Sequence, residues 1–255
     1  MLDLFKNAFA ITKKHALVLI GVIITVIIIS MIFSFITGAL ASVPVVGFIV
    51  DIISIIFQLY FGVGLVKLGL CIVDGKEPEF SDIKPTGSEM IKYLMSGLML
   101  FIIFLVVFML TIGVLGMLDV IKPGLNALYK DFLLNGASTK VYSSNEILYA
   151  LMVFVLLVIP AVLIYLRLQF ANYLVIDKKT EVGSAIIHSY RMTKGYLWYI
   201  VLTLLAVILL NILGLIMLFI GLIFTIPMSF IVIMLLYRSL DQNYQETIIE
   251  NITKE

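Results

Sequence analysis

The sequence predicts an all-α, polytopic integral membrane protein: six transmembrane helices, with amphipathic segments at the cytoplasmic interface. The first observation behind this is composition. Hydrophobic residues are 62% of the chain and charged residues 13%, against roughly 25% charged in an ordinary soluble domain, and mean hydropathy is +1.18. The second is run length. No charge falls between Ala16 and Ala41, and that stretch as a helix would measure about 39 Å, more than the roughly 30 Å hydrocarbon core. The third is the uneven placement of Lys and Arg along the chain.

Spans are expected at about residues 16–41, 45–73, 91–118, 147–176, 196–218 and 221–240, within one transmembrane domain covering 1–255. An Ala39-Leu40-Ala41 sequence follows a basic start and resembles a signal cleavage site. The apolar stretch before it is longer than a signal h-region, so span one is retained. The last two spans are separated by inference. Tyr196 to Tyr237 carries no charge and would form about 63 Å of straight helix, twice the hydrocarbon thickness, so the chain must turn back. Asn211, Gly214 and Gly221 mark that turn. Pro160 and Pro227 lie inside spans four and six, where each removes a helical hydrogen bond.

Lys and Arg near span ends resist translocation. With six spans and a cytoplasmic N-terminus, all of the 17 basic residues except Lys122, Lys130 and Lys140 fall on the cytoplasmic side. Dropping one span would scramble that split. Both termini are therefore expected in the cytoplasm, in a cytoplasmic (inner) membrane of a prokaryote. A weak internal repeat accompanies the spans: Ile72-Val73-Asp74 and Val175-Ile176-Asp177 end two of them, Asp241 comes after a third, and Ile11-Thr12-Lys13 and Met192-Thr193-Lys194 precede two others.

Between spans, Val182, Ala185, Ile186, Ser189 and Tyr190 fall at i, i+3, i+4, i+7 and i+8, with His188, Arg191 and Lys194 on the more polar side. Leu2, Phe5 and Phe9 give the N-terminal segment a similar edge. These segments read as anchors at the interface, or as lipid sensors, with Lys13, Lys14, Lys178, Lys179, Arg191 and Lys194 as candidate contacts for anionic lipid. Within span one, Ser30, Ser34, Gly38 and Ser42 form a ridge of small residues suited to close helix packing. In span two, Asp51, Ser54, Gln58 and Gly62 make a polar stripe that can be a satisfied interhelical seam or can line a pathway, and Arg167 in span four is the charge to set beside it.

Catalytic motifs are absent. His15 and His188 stand alone in sequence, and no H-E-x-x-H, Walker loop or G-x-S-x-G occurs. The lone Cys71 rules out an internal disulfide or cysteine-based cluster, and a net charge of +1 offers no field for nucleic acid. No cofactor or metal is expected. Residues 119–146 form an outer loop whose Leu125, Leu128, Tyr129, Phe132 and Leu133 suggest a short amphipathic helix.

Residues 172–177 (Asn-Tyr-Leu-Val-Ile-Asp), 189–195 (Ser-Tyr-Arg-Met-Thr-Lys-Gly), Asn211 to Gly214, Thr225 to Pro227 and Tyr237-Arg238 resemble a broad superfamily of prokaryotic six-helix membrane proteins. It includes the membrane domain attached to some glycerophosphodiester phosphodiesterases, and the loop from Gly75 to Asp82 is similar to its second cytoplasmic loop. The resemblance implies a six-helix membrane domain. It carries over no catalytic residue, because the phosphodiesterase domain is missing. The expected function is non-enzymatic: membrane organisation, regulation, or docking of a lipid or partner, with membrane lipids, a membrane-protein partner or a second copy as candidate partners. The alternative is a small transporter or channel for a solute or lipid.

Overall fold

A computed structural model of the chain describes residues 1–39, 44–79, 84–117, 144–217 and 220–253. Every regular element among them is an α-helix: α1 (Leu2–Lys14), α2 (Ala16–Ala39), α3 (Pro44–Val73), α4 (Gly87–Met117), α5 (Ser144–Leu168), α6 (Ala171–Asp177), α7 (Val182–Met192), α8 (Leu197–Ile216) and α9 (Ile220–Thr253). Six stretches are long and apolar enough to cross a membrane. The chain is thus an all-α, multi-pass membrane protein. Ser42 and most of the loop at 119–146 lie outside the described residues.

Several boundaries differ from the sequence reading for identifiable reasons. Helix α4 starts four residues early, at Gly87, because Thr86 and Glu89 form a capping box. The Glu89 carboxylate accepts from the Thr86 N–H at 2.9 Å, and the Thr86 hydroxyl accepts from the Glu89 N–H at 3.4 Å. The fourth span is broken at Gln169 and Phe170, with neither Gly nor Pro to mark the break. The residues at and just after it are buried: Phe170, Ala171, Leu174 and Val175 have almost no exposed surface, so packing overrides local helix preference. Helix α9 runs well past residue 240, since no Gly or Pro occurs between Met228 and Thr253 to end it. Helices α5 and α9 both continue through their prolines.

The described chain falls into two compact units, residues 1–96 with 169–255 and residues 97–168. The second consists of the later part of α4 and all of α5, helices that expose many large apolar side chains. In the first unit α9 is the hub, packing against α1, α2, α3, α7 and α8. Half of its most apolar stretch is buried, against 6% for α2. Met228, Ile231 and Val232 of α9 close a core with Ala8, Leu19, Leu68, Ile72 and Val207. Helix α1 joins it through Leu4, Phe5 and Ile11, and the Phe9 ring meets Phe224 edge-on at 5.7 Å.

The turn residues expected between spans five and six hold a hairpin together. A Cβ on Gly221 would lie 2.7 Å from the backbone of Gly214, and one on Gly214 would lie 2.5 Å from the Thr225 hydroxyl. Only two glycines allow α8 and α9 to approach this closely. Asn211 then donates across the hairpin to the Ser229 hydroxyl at 2.7 Å and along its own helix to the Val207 carbonyl at 2.9 Å.

Candidate functional site

Two aspartates at helix C-termini meet one helix, α9, which carries a third. Helix α3 ends at Val73 in a Schellman turn: the Gly75 N–H reaches the Ile72 carbonyl, the Lys76 N–H reaches the Cys71 carbonyl, and Gly75 takes the left-handed conformation with φ 75°. Asp74 is the capping residue of that turn, and Asp177 is the last residue of α6. A carboxylate beside the negative end of a helix dipole is unfavourable, so both need a cation. Arg238 of α9 supplies it to both at once. Its Nε and Nη2 donate to Asp74 Oδ1 and Oδ2 at 2.9 and 2.7 Å, while Nη1 and Nη2 donate to Asp177 Oδ2 and Oδ1 at 2.6 and 3.0 Å. Planar, rigid guanidinium geometry makes two such forks possible; an ammonium cannot form them.

Around this clamp the packing is aromatic. Tyr237 is fully buried, its hydroxyl donates to Asp177 Oδ2 at 2.7 Å, and its ring lies 5.7 Å from Tyr173 and 6.1 Å from Phe170. One turn further along α9, Asp241 is almost buried. It takes Lys178 Nζ at 2.7 Å and His188 Nε2 at 3.0 Å, and the His188 ring packs 4.8 Å from Tyr244. The sequence reading that left His188 isolated is corrected: it faces a carboxylate 53 residues away. Two further ion pairs tie the same unit. Lys67 meets Glu89 at 3.2 Å and Lys92 meets Glu181 at 3.2 Å.

The residues singled out from sequence are distributed differently. Asp51 accepts from Thr37 of α2 at 3.3 Å, and Gln58 donates to Ser54 one turn away along α3 at 3.1 Å. Asp51, Ser54 and Gln58 belong to the first unit, whereas Arg167 belongs to the second. Asp51 lies within α3 and Asp74 caps its end 23 positions later, about 35 Å of helix, so these two carboxylates mark opposite ends of a membrane-thick segment. Among the described residues, Ser30, Ser34 and Gly38 of the small-residue ridge meet no other helix. Ser30, Ser34 and Gly38 are exposed, and a Cβ on Gly38 would meet nothing within 4 Å, because α2 meets α3 through Phe33 against Phe57 and Thr37 against Asp51.

Helix α7 is corrected likewise. The face expected against lipid, including Ala185, Ile186 and Ser189, is buried, and α7 packs on α6 and α9. Tyr190, placed on that face by the sequence reading, is instead half exposed. Of the basic residues assigned to lipid, Lys178 is engaged by Asp241. Lys13, Lys14, Lys179, Arg191 and Lys194 are exposed.

Chemically the cluster is a set of mutually satisfied charges. No group of three His, Cys, Asp or Glu residues among the described residues is placed to hold a metal ion. Comparison with protein-family models, with curated proteins and with solved structures finds no match.

Proposed function

We propose that the chain is a non-enzymatic membrane protein that organises or docks other membrane components, sits in the cytoplasmic membrane of a prokaryote and keeps both termini in the cytoplasm. The observation that carries this is the clamp. The most buried charges of the first unit are paired with one another, so they fasten helix ends and are not presented to a substrate. The surfaces of α2 through α5 are rich in exposed large apolar side chains, as surfaces that meet lipid or other spans must be. The superfamily resemblance accords with this reading, because it implies a six-helix membrane domain.

A second reading, a small transporter or channel, draws on one observation: Asp51 and Gln58 are exposed on a spanning helix. Single cysteines at Ser54 and Gln58, in a Cys71→Ala background, separate the two. The docking reading expects a water-soluble maleimide to leave both unmodified in native membranes. Fast labelling at both, together with solute flux through reconstituted vesicles, would replace it with the transporter reading.

A further inference from the structure

The cations of the first unit fall into two classes. Lys67, Lys92, Lys178 and Arg238 each meet a carboxylate. Arg191 and Lys194 are exposed, and no carboxylate among the described residues pairs with either. Arg191 shares one side of α7 with Ile187 and Tyr190, since 187, 190 and 191 are i, i+3 and i+4, and Lys194 follows in the turn just after the helix, where its N–H donates to the Arg191 carbonyl. This side lies opposite the buried residues Ala185, Ile186, Ser189 and Met192. Ile187 is 54% exposed, and beyond a short turn Trp198, in the first turn of α8, is 79% exposed.

In water such a surface would be costly. At the rim of a bilayer it is the usual composition: aromatic side chains at head-group level, cations facing phosphates, an aliphatic residue reaching the acyl boundary. The face is also continuous with a membrane span, because α8 begins at Leu197.

We propose that this outer face of α7 and the start of α8 hold anionic phospholipid, with the head-group phosphate between Arg191 and Lys194 and with Ile187, Tyr190 and Trp198 against glycerol and upper acyl chain. It deepens the docking function proposed above and rests on it, the occupant being lipid. Arg191 and Lys194 are the cations expected at lipid from sequence, but the apolar stripe expected beside them is buried. The protein core takes the apolar stripe, and lipid takes the stripe that carries cations.

Trp198 is the only tryptophan of the chain, so its fluorescence reports this site alone. The full-length protein is placed in phosphatidylcholine nanodiscs containing a small, equal fraction of either brominated phosphatidylglycerol or brominated phosphatidylcholine, and quenching is compared. Each cation adds to the attraction for anionic lipid, so a local preference for phosphatidylglycerol of about tenfold is expected. It should vanish in Arg191→Gln with Lys194→Gln, persist in Arg191→Lys, and persist in Lys13→Gln with Lys14→Gln. Inorganic phosphate added to the aqueous phase should leave it unchanged; loss on adding phosphate would mean a free-anion site and overturn the lipid assignment. Equal quenching by the two lipids in the native protein would overturn it too, while leaving docking of a protein partner untouched. Solute flux would remove the docking reading without altering the quenching result.

Discussion

Asp74 and Asp177 share one guanidinium unequally. Asp177 is the more enclosed, with 15% of its side chain exposed against 33% for Asp74, and it alone receives the Tyr237 hydroxyl. Breaking a fully buried pair costs about 3–5 kcal/mol, and partial exposure reduces that. Asp177→Asn should therefore lower thermal stability in detergent by about 2 kcal/mol, and Asp74→Asn by about half as much. Size-exclusion melting curves would measure both, and a larger loss at Asp74 would show that the clamp is not organised around Asp177. Arg238→Lys keeps the charge but not the forks, and should fall between Arg238→Gln and the native protein. Tyr237→Phe removes one hydrogen bond and should cost about 1 kcal/mol.

Among elements, the hairpin of α8 and α9 is the least forgiving. Adding a methyl at Gly221 drives it into the backbone of Gly214, 2.7 Å away, and no rotamer can relieve that. We expect Gly221→Ala to destabilise by at least about 2 kcal/mol, within the range for overpacking. Gly38→Leu should change the melting temperature little, since nothing lies within 4 Å of that position. A large loss at Gly38 with none at Gly221 would invert the packing of these helices. The sequence pointed to Gly214, Gly221 and Asn211 because a charge-free stretch too long for one span demands a turn. At Gly38 no described residue of another helix comes within 4 Å of an added Cβ: the spacing of small residues identifies a face but not what covers that face. For α7 the periodicity correctly separated most of two faces. Which one meets protein depends on Asp241 and Lys178 being nearby, and that is a tertiary fact.

At the scale of the whole molecule, six spans were legible because hydrocarbon runs need only length and composition to be recognised. The clamp was legible in pieces: an aspartate after three spans, and Tyr237-Arg238 in the resemblance. Nothing local joins Asp74 to a residue 164 positions later, and α9's role as hub leaves no periodic mark in a helix apolar on most sides. Orientation gives a direct check. Asp51 and Glu246 are both exposed and are expected on opposite sides of the membrane. With Cys71 replaced by alanine, an impermeant maleimide should label Asp51→Cys in intact cells and spare Glu246→Cys, and inverted vesicles should reverse the pattern. Labelling of Glu246→Cys from outside would place the C-terminal end of α9 on the other face.

The hub helix comes after every helix it packs against. During synthesis α2 and α3 therefore enter the membrane before the helix at the centre of their core exists, and Asp74 and Asp177 wait beside helix dipoles of their own sign until Arg238 has been made. The first unit is completed from its C-terminal end, and quality control has a long window in which to act on it. A chain stopped after residue 217 should insert yet be cleared rapidly in pulse-chase labelling, and supplying residues 218–255 as a separate segment should lengthen its lifetime. Equal persistence with and without that segment would mean that the earlier helices hold together unaided.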